Sequence, residues 1–233
     1  MSSTTIQFIT GFGGVLFGAA LSWLWFIFEK HLERRRKHFN ALVAIEYAMS
    51  ENLDTSYSNM IGLKLFKAAL GQKQFYYPSF KQFNLPQSTI YDLQNLKFAN
   101  NVFETYLDMD RVNRDLLAIS DRYNKVVDRF MLASTSVRHG EAFNEYSENA
   151  NILISDLDLL LSFSEKLDQR LVKTTAESQV LHQHKPRWVV DVVIGWWSKS
   201  DSNPGDFTDK VVLASERIQK EREQQKADYE AKR

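Results

Sequence analysis

The chain has 233 residues, with 29 basic side chains balanced by 29 acidic ones, and it contains no cysteine. Zero net charge argues against protein-wide attraction to nucleic acid, which shows as a basic excess. The missing thiols exclude disulfide scaffolding, thiolate zinc sites and a cysteine nucleophile.

Residues 6–28 carry no charge, and only Gln7, Thr10 and Ser22 are polar. The glycines of this stretch do not make a nucleotide loop. No Lys precedes Lys30, and Leu16 stands where a dinucleotide fingerprint needs its third glycine. As a helix the run measures about 35 Å, enough to cross a hydrocarbon core of about 30 Å. Lipid leaves the backbone only its own hydrogen bonds, so glycine is tolerated there. The expectation is an uncleaved transmembrane anchor over residues 1–28, since a signal peptide would place positive charge before the apolar run rather than after it.

The flanks set its direction. Residues 1–5 have no charged side chain, whereas Lys30, Arg34, Arg35, Arg36 and Lys37 follow the span. Basic residues stay on the cytoplasmic side, which predicts an outside N-terminus and a cytoplasmic remainder. Trp23, Trp25 and the basic collar Arg34–Arg36 are then expected at the membrane interface, in contact with lipid. Thr10, Gly14, Gly18 and Ser22 recur every four residues, a small-residue stripe that lets helix backbones approach closely and suggests a homo-oligomer.

Residues 29–183 are expected to form a helical bundle. Leu42, Ile45, Met49, Leu53, Met60, Leu63, Phe66 and Leu70 keep the three-and-four spacing of one buried helix face. Nothing between Phe28 and Phe39 looks like a stop, so the anchor is expected to run into this helix. Gly71 is the expected left-handed residue that ends it. Two prolines make 71–88 a connection. Its segment QKQFYYPSFKQF interleaves aromatics with lysine, and Lys73, Tyr76, Tyr77, Phe80 and Lys81 are candidate partner-binding residues. Rings that cap the core are the competing explanation.

Ser88 is the expected N-cap of a long helix with an interruption near Ala99–Asn101 and an end around Ser134–Gly140. A further helix is expected from Glu141 to His182. Its acidic part, Glu141–Asp168, holds seven carboxylates and one lysine, facing either water or basic residues of another helix. Residues 184–204 form a Trp-rich segment and linker. The run WVVDVVIGWW favours strand by composition, yet has nothing obvious to pair with. Trp196 and Trp197 suit either the headgroup region or burial against the bundle. Residues 205–233 read as a charged, solvated helix with i,i+4 pairs such as Arg217–Glu221.

Chemistry is sparse. There is no HExxH, GxSxG, Walker or EF-hand pattern. The cluster RRRKH comes nearest to a helical nuclease motif, but Arg34 and His38 are too close in sequence. His182 and His184 point apart on a helix, as do Asp108 with Asp110 and Asp156 with Asp158, so none of these pairs is expected to hold an ion. The expected fold class is all-α: an N-terminal transmembrane helix, a cytoplasmic bundle of three to four long helices and a charged C-terminal helix. The expected function is a non-catalytic interaction, sensing or scaffold module with an unknown protein partner and neither cofactor nor metal. A bilayer-perturbing oligomeric effector is the alternative, and an enzyme with an unrecognised site comes third.

Overall fold

The computed structural model describes residues 3–134, 139–183 and 204–231. These form α1 (Ser3–Gly71), α2 (Gln87–Tyr91), α3 (Leu96–Ser134), α4 (His139–Gln183) and α5 (Pro204–Ala231), with no strand among the described residues. The fold is all-α, as the periodicity predicts. The WVVDVVIGWW run, with Trp196 and Trp197, lies outside the described residues.

α1 is one helix of 69 residues, about 100 Å long at roughly 1.5 Å per residue. Its apolar portion is long and apolar enough to span a membrane by length and composition. Residues 14–28 are exposed on every side, Trp23 and Trp25 among them. From Ala41 onward one side is buried, with Ile45, Met49, Leu63 and Phe66 inaccessible. Each such side chain contributes about 1.5–3 kcal/mol by leaving water.

α4 is the central helix and packs against α1, α3 and α5. Leu157, Leu167 and Leu171 form its innermost ridge, facing Val102, Val112, Leu116 and Tyr123 of α3 within a single core. α4 also supplies an acid to a base on each neighbour: Asp158 to Lys67 of α1, Asp156 to Arg122 of α3 at 2.8 Å, and Asp168 to Arg222 of α5 at 2.7 Å. The acidic stretch therefore meets other helices as well as water.

Three sequence-based boundaries are corrected. Gly71 does not end α1 in a left-handed conformation; Lys73 does, with φ 56°. Gln74 N–H bonds the Ala69 carbonyl at 2.8 Å and Lys73 N–H that of Leu70 at 2.9 Å, the paired closure of a Schellman motif. Ser88 is not the cap of the long helix. It lies inside the five-residue α2, which is entered from Pro86 without a side-chain cap. The interruption falls at residues 92–95, not 99–101, because Asn95 Oδ1 accepts Phe98 N–H at 3.1 Å and starts α3 there.

The left-handed position yields a first expected result. A side chain with a Cβ pays about 1–2 kcal/mol to sit there, and glycine returns part of that as unfolded-state entropy. Lys73→Gly should stabilise the protein by about 0.5–1 kcal/mol, read as a rise in thermal midpoint.

The charged C-terminal stretch is not solvated on all sides. Phe207, Val211, Ala214 and Ile218 of α5 join the core at three-and-four spacing, with Val211 and Ile218 buried. One turn further on, Arg222 closes the same face. The Arg217–Glu221 pair is present at 3.9 Å on the exposed side, where it adds little.

Candidate functional site

The aromatic connection is an extended strap rather than a loose loop. It leaves the far end of α1 at Gly71 and returns along the bundle between α1 and α3. Three asparagines hold it, each by both groups of its amide. Asn59 donates to the Lys81 carbonyl at 2.7 Å and accepts Lys81 N–H at 2.8 Å. Asn52 treats Asn84 in the same way, at 2.8 and 3.0 Å. From the opposite side Asn113 of α3 takes both groups of Phe83 at 2.9 Å.

The spacing has a simple origin. Seven residues of helix rise about 10.5 Å, and three residues of extended chain span about 10 Å. Asn52 and Asn59 therefore meet Asn84 and Lys81 in matched register. An amide side chain offers one donor group and one acceptor, which is what a strand would ask of a neighbouring strand. Asn52 and Asn59 are buried in the core face of α1, with Thr55 and Ser56 buried between them; two asparagines seven apart on a core-facing stripe are the available signal in the sequence.

The candidate partner residues separate into two groups. Tyr76 and Phe80 point inward. Tyr76 N–H bonds the Tyr123 hydroxyl at 2.8 Å and its ring stacks on Phe66 at 6.0 Å. Phe80 lies on Gly62, where an added Cβ would come within 3.3 Å of its ring. Tyr77 is 69% exposed, and Lys73 and Lys81, four residues before and after it on the strap, are exposed as well. The outward set is thus Lys73, Tyr77 and Lys81, spaced four apart. Lys73 Nζ also sits over the Phe143 ring of α4 at 5.2 Å.

Around the strap's first residues, Phe66 meets Tyr123 at 4.8 Å between ring centroids, and Phe75, Phe130 and Tyr146 form a triangle with centroids 5.2–5.5 Å apart, closing the end of the core. Burial, with Tyr123 beside it, pushes the Tyr146 phenol up to about 12, so it stays a neutral donor, here to the Gln74 carbonyl at 3.4 Å.

The titratable residues singled out from sequence serve the packing. His38 accepts Gln94 N–H at Nδ1 (3.1 Å), tying the α2–α3 turn to α1, and burial holds its imidazole below the usual range. His182 Nδ1 meets the Glu46 carboxylate at 2.7 Å, and its ring lies edge-on to Phe39; His184 is outside the described residues. Asp108 pairs with Arg170 at 2.7 Å and Asp110 with Arg114 at 3.2 Å, in separate directions. Among the described residues no three His, Asp or Glu side chains gather as a metal set.

Asp168 and Arg222, 54 residues apart and marked by no motif in the sequence, make the most closely partnered polar group among the described residues. Both guanidinium nitrogens reach the carboxylate at 2.7 Å, Ser56 of α1 donates to it at 2.8 Å, and Arg222 also reaches the Leu53 carbonyl at 3.4 Å. The pair is largely buried and joins α1, α4 and α5.

In the apolar segment, Gly14 and Gly18 have open space where a Cβ would go, and Ser22 Oγ donates to the Gly18 carbonyl of its own helix at 2.9 Å; Thr10's side chain lies outside the described part. Arg34, Arg35 and Arg36 follow on α1, Arg34 and Arg36 exposed and Arg35 half-buried. Compared with protein-family models, curated proteins and solved structures, the chain matches none.

Proposed function

We propose that this is a single-pass membrane protein, N-terminus outside, whose cytoplasmic helical domain is a docking module without chemistry of its own. One observation carries the reading: the exposed apolar segment and the first core ridge of the bundle belong to one uninterrupted helix. A helix apolar on every side needs an apolar surrounding, and the same helix then builds a folded domain. The basic collar after the span supports the cytoplasmic side. The polar interior supports the absence of catalysis, since Asn52, Asn59, Asn113 and Asp168 are consumed by contacts within the fold.

The docking surface on this reading is Lys73, Tyr77 and Lys81. Tyr77→Ala should leave the thermal midpoint unchanged while reducing capture of a partner by the detergent-solubilised full chain, an exposed anchor often carrying about 2 kcal/mol of affinity. Phe80→Ala should do the reverse, costing about 2 kcal/mol of stability for a half-buried ring. Unchanged capture by the Tyr77 variant would remove this surface.

A second reading, an oligomeric effector acting on the bilayer, is favoured by the open stripe. A Cβ at Gly18 meets nothing within 4 Å, so Gly18→Leu finds open space in the monomer where it starts. It should weaken self-association of the isolated span in a membrane reporter assay. Equal signals from wild type and the Gly14→Leu and Gly18→Leu variants would leave this second reading without support.

A further inference from the structure

We infer that the α2–α3 turn is a second contact with the lipid surface, with Tyr91 and Leu96 entering the headgroup layer and thereby fixing the direction in which α1 tilts. This rests on the anchor reading above and adds a surface to it.

Tyr91 and Leu96, 84% and 78% exposed, are the two most exposed large apolar side chains among the described residues. They share one short turn. Their neighbours Ile90, Leu93 and Phe98 are buried, so the turn already has its inward apolar contacts and the outward pair is surplus to the fold. The turn lies at the end of the bundle nearest the span, fixed by the Gln94–His38 bond. α3 runs away from that end, and helical side chains lean toward the N-terminus, so Leu96, at the first position of α3, leans toward the membrane. The turn's one acid, Asp92, lies in the field of Lys37, which offsets the charge that an anionic surface would repel.

The distances fit. His38 is ten residues beyond Phe28, about 15 Å along the helix. The headgroup layer occupies about 5–8 Å on each side of the hydrocarbon. A helix neighbour sits roughly 10 Å off the α1 axis, so an ordinary tilt of about 20° toward α3 lowers the turn to about 11 Å above the hydrocarbon. The remaining gap is within the reach of a tyrosine or leucine side chain. The same tilt directly away from α3 would lift the turn to about 17.5 Å.

Lacking cysteine, the full chain accepts one engineered thiol at a time. Phe17→Cys, Leu96→Cys and Tyr77→Cys would each carry a polarity-sensitive fluorophore in nanodiscs, with helicity checked by circular dichroism. Quenching by lipids brominated near the headgroup, for position 96, and near the acyl-chain ends, for position 17, is compared with quenching by aqueous iodide. The expected result is lipid quenching at 17 and 96, and iodide quenching alone at 77. A label at 96 that the brominated lipid does not reach, with 17 still quenched by lipid, overturns this inference and leaves the anchor standing. Iodide quenching at 17 overturns both. Lipid quenching at 77 would mean that the whole domain lies on the membrane, and overturns the specific turn contact.

Discussion

Asp168→Ala should be among the most damaging polar substitutions in the bundle, costing about 2–3 kcal/mol. Breaking a buried ion pair costs about 3–5 kcal/mol because the abandoned charge keeps its desolvation penalty; the residual exposure of this pair, 16–17%, brings the figure down. Arg222 would retain only the long contact to the Leu53 carbonyl, and Ser56 would lose its acceptor. For a chain of this size the thermal midpoint should fall by roughly 5–10 °C. Urea unfolding followed by circular dichroism gives the free energy directly. The double substitution Asp168→Leu with Arg222→Met should recover most of the loss, since an apolar pair of similar volume carries no desolvation cost. A double variant that loses the sum of the Asp168→Leu and Arg222→Met losses would mean that the pair has no coupling of its own.

Asn59→Ala should cost about 2–3 kcal/mol, because two hydrogen bonds go and two backbone groups of Lys81 are left facing an apolar wall. Asn59→Asp discriminates the cause. Its carboxylate keeps the bond from Lys81 N–H but turns a charged oxygen toward the Lys81 carbonyl, so near neutral pH it should be worse than alanine. Protonation restores a donor at that place. The folded state thus holds the introduced proton more tightly than the unfolded chain, and the deficit of the Asp variant should shrink as the pH falls. A deficit that stays constant with pH would show that the amide is not reading both backbone groups.

Much of the helical plan was legible. The three-and-four spacing from Leu42 to Leu70 locates the buried face of α1, and the Ser, Thr and Gly cluster after Ser134 locates the end of α3. Both signals are local. The misplaced boundaries depended on competition between neighbouring caps: Ser88 and Asn95 are equally acceptable by residue type, and the one whose oxygen meets an N–H three residues on takes the role. Gly71 could have been the left-handed residue, but the closure bonds fall two positions later and place Lys73 there. For α5 the abundance of charge concealed a ridge of only four apolar residues ending in Arg222. Least legible was the strap. Its aromatic content was plain, but which ring faces inward is decided by Asn52, Asn59 and Asn113, residues 22 to 32 positions away in sequence. Tyr76 and Phe80 were therefore grouped with Tyr77 although they face opposite ways.

The placement of the strap between α1 and α3 has a consequence for biosynthesis. Each layer lies on something made earlier: α1 presents Asn52 and Asn59 before the strap leaves the ribosome, α3 then brings Asn113 against it, and α4 covers both. Chains elongate at about 5–20 residues per second, far slower than helices form. The nascent chain can settle layer by layer in the order of translation. The contacts from Arg222 back to Asp168 and Leu53, which span 54 and 169 residues, close last. A chain refolding from denaturant has no such schedule: α1 and α3 can collapse on each other before the strap is laid, and it must then be threaded between them. Recovery after complete unfolding should accordingly be slower than maturation during synthesis, with the delay located at the strap.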